Sequence, residues 1–205
     1  MLGVIDYGAG NLRSVVNALN YLNIQNYIVS NVNEINDADA LILPGVGAFG
    51  AALDELENRR LKDAVIKAAE KKPFLGICLG MQLLFETSEE APGRNGLGIL
   101  KGCVQRFPTD KSLKIPHMGW NSLTVSSSSK LFTDTKQDSY VYFVHSYYCR
   151  AKNRADIAAT CKYGIEFDAA VERGNVFGCQ FHPEKSGDTG LALLRKFASL
   201  FGGYN

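Results

Sequence analysis

What the chain lacks narrows it first. Its five cysteines (Cys78, Cys103, Cys149, Cys161, Cys179) form no CxxC pair and are odd in number. Neither a paired-cysteine zinc site nor a disulfide framework is indicated; most of them sit in apolar, strand-like runs, which points to reduced thiols in a cytoplasmic protein. No charge of one sign dominates: 22 Lys and Arg against 21 Asp and Glu leave a net charge of +1. No stretch concentrates Lys or Arg, so the footprint of a nucleic-acid binder is missing. No apolar run reaches the length of a membrane span. The start, MLGVIDYGAGN, has neither the basic beginning nor the long apolar stretch of a signal peptide. There is no internal repeat, and the tetraserine at 126–129 reads as a loop. Histidine is scarce, with three in the chain, and none belongs to an HExxH motif. Glycine-rich DYGAGN does not meet GxGxxG spacing, and no P-loop occurs, so neither a metal nor a nucleotide cofactor is expected.

What is present fits an ordinary globular chain: 205 residues, 46% of them hydrophobic, read as a single domain over 1–205. Residues 2–5 (LGVI), a short run near 27–29, 40–43 (ALIL) and 73–78 (PFLGIC) read as strands. Between them, Val15, Val16, Leu19 and Leu22 mark one helix. A long one is expected from Phe49 to Glu70 with Leu53, Leu56, Leu61, Val65 and Ala68 inward. LGMQLLFETSEE (79–90) reads as the next helix. Strands alternating with helices predict an α/β fold with an open, mostly parallel central sheet flanked by helices. The second half is strand-rich: 96–107, 117–125, 139–149, 156–164 and 174–182 predict additional antiparallel strands, before an amphipathic helix with Leu191, Leu194, Phe197 or Ala198, and Phe201 inward.

Cys78 is bracketed as G-x-C-x-G between a buried strand and a helix. Such a turn lifts a nucleophile clear of the sheet, and glycines leave room for close backbone. A helix start favours thiolate, and the N–H of Leu79 is placed to bind an oxyanion. A buried cysteine is more often a small core residue, so the reading stands or falls on a base. His182 and Glu184, in FHPE, share a face at a strand end closed by Pro183, where the carboxylate could orient the imidazole. His145 lies within an apolar strand and reads as a core histidine, and His117 as a loop residue entering a strand. Cys179 with His182 has no recognised metal-ligand spacing. PGVG (44–47) falls at the same sheet edge as Cys78, where it could offer the other half of an oxyanion site.

Taken in order, PGVG, GICLGMQLLFE and FHPE resemble the class I glutamine amidotransferases, and the resemblance covers essentially the whole chain. DYGAGN, PHMGWN, YFVHSYY and FHPEKS are similar to the branch that serves histidine biosynthesis; anthranilate-type members usually carry His where Met81 stands. The resemblance implies a glutaminase with Cys78 as nucleophile, His182 as acid/base and Glu184 as its orienter. It implies an oxyanion site from the backbone of Val46, Gly47 and Leu79, and a glutamine site from Gln82, Glu90, Ser146 and Tyr147. It also implies a heterodimer with a (β/α)8-barrel cyclase that receives the ammonia and makes imidazole glycerol phosphate and an aminoimidazole carboxamide ribonucleotide. Trp120, Tyr142, Lys185 and Asn11 would lie towards that partner. Other readings are the glutaminase of a different synthase, a silent binding subunit, or a thiol hydrolase on a similar sheet.

Overall fold

A computed structural model of the chain describes residues 1–8, 10–109 and 113–202. Ala9, within the DYGAGN segment (6–11), lies outside the described residues. Three apolar runs of four residues form the centre: β1 (Leu2–Ile5), β3 (Ala40–Leu43) and β4 (Phe74–Ile77), every residue buried. Continuous burial means both sheet faces are covered, as parallel βαβ units require. Alternate residues divide accordingly. Leu2, Val4, Ile42, Leu75 and Ile77 join one core, while Ile5, Leu41, Leu43 and Phe74 join the other. The first core is covered by α1 (Leu12–Tyr21) and α6 (Gly187–Ser199). The second is covered by α3 (Phe49–Asn58) and α4 (Lys62–Lys71).

The parallel part runs β2 (Asn26–Val29), β1, β3, β4, β13 (Val176–Cys179). Beyond β13 the sheet turns antiparallel through β12 (Ile165–Arg173), β10 (Tyr147–Ala151) and β6 (Gly102–Arg106). β5 (Thr87–Ser88) closes that edge, and β11 (Ile157–Tyr163) with β8 (Thr124–Val125) branches from β12. β7 (His117–Ser122) and β9 (Tyr140–His145) pair as a separate antiparallel sheet. The expected architecture is therefore present: a largely parallel sheet between helices, with antiparallel strands from the second half. Among the described residues no helix is long and apolar enough to cross a membrane, and all five cysteines are free.

Several boundaries differ from expectation. The long helix is two helices, broken where Arg60 takes φ 58°. At 3.6 residues per turn, one continuous helix would swing its apolar face by roughly a third of a turn between Leu53–Leu56 and Val65–Ala68; the break restores both to the sheet. The helix after Cys78 is only α5 (Leu79–Leu83). Thr87 and Ser88 instead pair with Cys103 and Val104, and the Glu86 carboxylate accepts from the Gly102 N–H at 2.9 Å. Thr and Ser are poor helix formers, and strand pairing wins. The run 139–149 divides at Ser146 into β9 and β10, which belong to different sheets. Short α2 (Val32–Asp37) and nine-residue β12 were not anticipated.

Candidate active site

The turn between β4 and α5 carries Cys78 at φ 54°, ψ −109°, a conformation that L residues rarely adopt. Its neighbours explain how the turn fits. A Cβ on Gly76 would come within 2.7 Å of the Gly80 backbone, and one on Gly80 would run into the Leu43 carbonyl of β3. Glycine at both positions lets the turn pack down on the sheet while Cys78 is held by its N–H to the Cys179 carbonyl, 2.8 Å.

His182 is brought alongside by β13, its parallel neighbour. The chain leaves that strand and enters a 3₁₀ turn, Pro183–Lys185, with His182 at its cap. The His182–Glu184 pair therefore meets across a tight turn and not along a strand as expected; Nδ1 of His182 lies 2.8 Å from Oε1 of Glu184. Ser186 pins this turn to β9: its hydroxyl donates to the His182 carbonyl at 2.6 Å and accepts the Tyr142 N–H at 3.0 Å. Both side chains of the His–Glu pair are fully buried. Nε2 of His182 has no hydrogen-bond partner among the described residues, yet the Cys78 sulfur is near enough to act on its charge. Burial works to lower the His182 pKa; Cys78 and then Glu184 outweigh it and carry the imidazole up to about 9. A cysteine sulfur, an imidazole held basic and a buried carboxylate thus meet at one sheet edge.

Cys78 opens into a cavity of about 330 Å³. Val46, Gly47, Leu79, Gln82, Glu90, Ser146 and Tyr147, the residues expected around glutamine, all line it. The Gln82 amide donates to the Tyr147 carbonyl at 3.1 Å, and Glu90 accepts the Phe49 N–H at 2.8 Å. The break of the chain at Ser146 is what turns this backbone into the cavity. One expected donor is engaged elsewhere: the Leu79 N–H is bonded to the Gly45 carbonyl at 3.3 Å. Gly47, at φ 108°, has open space where a Cβ would be.

The chain matches the family described as Glutamine amidotransferase class-I over residues 3–200. The protein named Imidazole glycerol phosphate synthase subunit HisH from Caldanaerobacter subterraneus subsp. tengcongensis is 50% identical over 201 residues, covering 98% of each chain. The chain belongs to the class-I glutamine amidotransferases, among the HisH subunits. It is a glutaminase subunit of imidazole glycerol phosphate synthase, serving histidine biosynthesis. A chloroplastic relative from Arabidopsis thaliana, Imidazole glycerol phosphate synthase hisHF, is 47% identical over 95% of this chain and 33% of its own length. A crystal structure of a glutamine amidotransferase superposes with TM-score 0.77 at 24% identity, covering 98% of both chains, a likeness of fold.

Three residues of this HisH-type site were not assigned to it from sequence. Asn11, expected towards a partner, also reaches this site: its half-buried amide donates to Glu184 Oε1 at 2.6 Å. Gln180 is fully buried, and its amide donates to the Cys78 sulfur at 3.6 Å. Tyr7 is buried with its hydroxyl unpartnered among the described residues, and burial, then the nearby charge of Cys78, pushes that hydroxyl's pKa up. DYGAGN and CQFHPE do hold these residues, but a tyrosine before a glycine turn and a glutamine in an apolar strand carry no spacing signal of their own. His117 is buried at the first position of β7, where the preceding loop enters the strand. Trp120 is 55% exposed and meets Tyr142 edge-on at 6.1 Å, and Lys185 is exposed at the end of the 3₁₀ turn that follows His182.

Proposed function

We propose that Cys78, His182 and Glu184 hydrolyse glutamine and that the ammonia passes to a cyclase subunit. The observation that carries the reading is the buried His182–Glu184 pair, 2.8 Å apart, beside a cysteine on a strained turn that lines a pocket. Cys78 thiolate attacks the side-chain amide carbon, and the carbonyl electrons move to oxygen. His182, as imidazolium, gives its proton to the amide nitrogen. The C–N bond breaks and ammonia leaves a γ-glutamyl thioester. Water, losing a proton to His182, then attacks the thioester and releases glutamate and thiolate. Glu184 holds the imidazole through Nδ1 and favours its charged form.

The oxyanion needs N–H donors from the backbone of Val46, Gly47 and Leu79. Since the Leu79 N–H is bonded to the Gly45 carbonyl, the PGVG segment has to shift before that donor is released. Glycine at 45 and 47 makes such a shift inexpensive. A partner that closes on this edge could drive it, so the lone chain should be slow and the complex fast.

The partner reading is supported by the relatives' names: one is called a subunit, and the Arabidopsis protein named hisHF is about three times as long as the part this chain matches. Exposed Trp120, Met118 and Tyr140 on the β7–β9 sheet form an apolar surface suited to docking. A (β/α)8-barrel cyclase there would receive ammonia before water protonates it. Treatment of the complex with a glutamine-like diazo ketone tests the nucleophile. Mass spectrometry should find the adduct on Cys78 alone; an unlabelled Cys78 in an active complex would overturn the assignment.

A further inference from the structure

Two buried histidines stand outside the triad. His117 and His145 are paired across β7 and β9, with Nδ1 of His117 3.0 Å from Nε2 of His145. Their partners decide where each proton sits. Nδ1 of His145 lies 2.8 Å from the Tyr147 carbonyl oxygen. A carbonyl only accepts, so this nitrogen carries the hydrogen. Burial holds His145 down at about 3, with the charges of His117 and His182 adding to it, so the ring is neutral and its Nε2 is an acceptor. His117 must then donate from Nδ1. Burial lowers His117 to about 4, and its free Nε2 accepts from the Asn121 amide at 3.3 Å. The same amide nitrogen gives its other hydrogen to the Lys162 carbonyl at 3.0 Å.

The row continues on the other side. The Tyr147 carbonyl takes a second hydrogen bond from Gln82 Nε2, 3.1 Å. That nitrogen's remaining hydrogen goes to Gln180 Oε1 at 3.0 Å, and Gln180 Nε2 donates to Cys78 Sγ. From Asn121 to Cys78 one assignment of hydrogens satisfies every contact, with the Tyr147 carbonyl accepting from both sides. Phe143 and Tyr163, stacked on His117 with centroids 4.7 and 3.9 Å away, fix the plane of its ring.

We propose that His117 and His145 are positioning residues for glutamine: their fixed tautomers hold the Tyr147 carbonyl, which together with Gln180 Oε1 commits the two hydrogens of the Gln82 amide and leaves Gln82 only its acceptor, Oε1, to offer the pocket. The group that meets Gln82 is thereby an N–H donor of the ligand. Were His145 protonated on Nε2 instead, two donors would face each other at 3.0 Å and the Tyr147 carbonyl would lose a partner. The identity of the ligand rests on the glutaminase reading; the proton positions do not.

Long-range ¹H–¹⁵N correlation spectra of the full chain, labelled at histidine, read the tautomers directly. Both His117 and His145 should be neutral Nδ1–H rings from about pH 5.5 to about pH 8.5. An Nε2–H form or a charged ring in that interval, at either residue, would overturn the proposal. His117→Phe in the complex adds a functional readout. The KM for glutamine should rise about fivefold, the loss of one ordinary hydrogen bond, with kcat changed by less than about twofold. An unchanged KM, or a loss confined to kcat, would count against it; if the variant does not fold, the spectra of the native chain decide. A native complex that does not consume glutamine would sink the function reading and leave the tautomers standing.

Discussion

The Asn11 amide and the His182 ring share one oxygen of Glu184: Oε1 accepts from Asn11 Nδ2 at 2.6 Å and faces His182 Nδ1 at 2.8 Å. Residues separated by 173 positions are thus joined at the carboxylate that also meets the His182 ring. Oε2 of the same group is buried without a partner among the described residues, so the carboxylate's position depends on this shared oxygen. Asn11, near the start of the chain, therefore supports the His182–Glu184 pair.

Replacement of Asn11 measures that support. Asn11→Ala removes a hydrogen bond to a charged group, about 1.5 kcal/mol, and should lower kcat for glutamine about tenfold. Synthesis from added ammonia should be unchanged. If Asn11 acted only at a partner surface, subunit affinity would fall while kcat at saturating partner stayed at the native value.

The raised His182 pKa carries a pH signature. A group held at about 9 when folded, against an ordinary 6.5, adds stability that is complete below pH 6.5 and disappears as pH rises through about 9. Burial opposes this shift, and Cys78 is the larger of the influences that produce it. The stability contributed by Cys78 should accordingly shrink as pH climbs across this interval. Melting curves of the native chain and Cys78→Ala should show a Tm difference that moves against the native protein from pH 6.5 to beyond 9. A difference constant with pH contradicts the coupling.

Gln180 lends itself to a charge test. Gln180→Glu keeps the shape but sets a carboxylate beside the sulfur, which disfavours thiolate. Alkylation of Cys78 by iodoacetamide should slow about tenfold, the effect of a one-unit shift. An alkylation rate equal to that of the native chain would show that the residue at 180 does not govern the sulfur.

Glycine 80 separates fit from backbone freedom. Gly80→Ala drives a methyl group into the Leu43 carbonyl and should cost about 3 kcal/mol or more. Gly93→Ala, at φ 81° with open space around it, should cost only about 1 kcal/mol of conformational strain. Urea midpoints of the two variants should differ in that order; equal midpoints would mean the turn after Cys78 has slack.

The parallel half of the fold was legible because each central strand is an unbroken apolar run of four, and the glycine turns at their ends mark one edge. That Cys78 and His182 come together was legible for the same reason: they lie at the ends of adjacent strands. What escaped detection depends on contacts that sequence does not display. β12 holds Asp168 in its buried stretch, where it accepts the Ala151 N–H at 2.7 Å, and a carboxylate amid FDAAV hides a strand buried on both faces. The helix after Cys78 stops early because Thr87 and Ser88 find β6. Asn11, Gln180 and Tyr7 gain their places only when the sheet brings 6–11, 78 and 180 together.

The most direct measurement is the activity of Cys78→Ala with the cyclase subunit, assayed with glutamine and separately with an ammonium salt. Glutamine-dependent synthesis should vanish and ammonia-dependent synthesis should match the native complex. Retention of glutamine-dependent synthesis would contradict the account, since another group would then be releasing the ammonia.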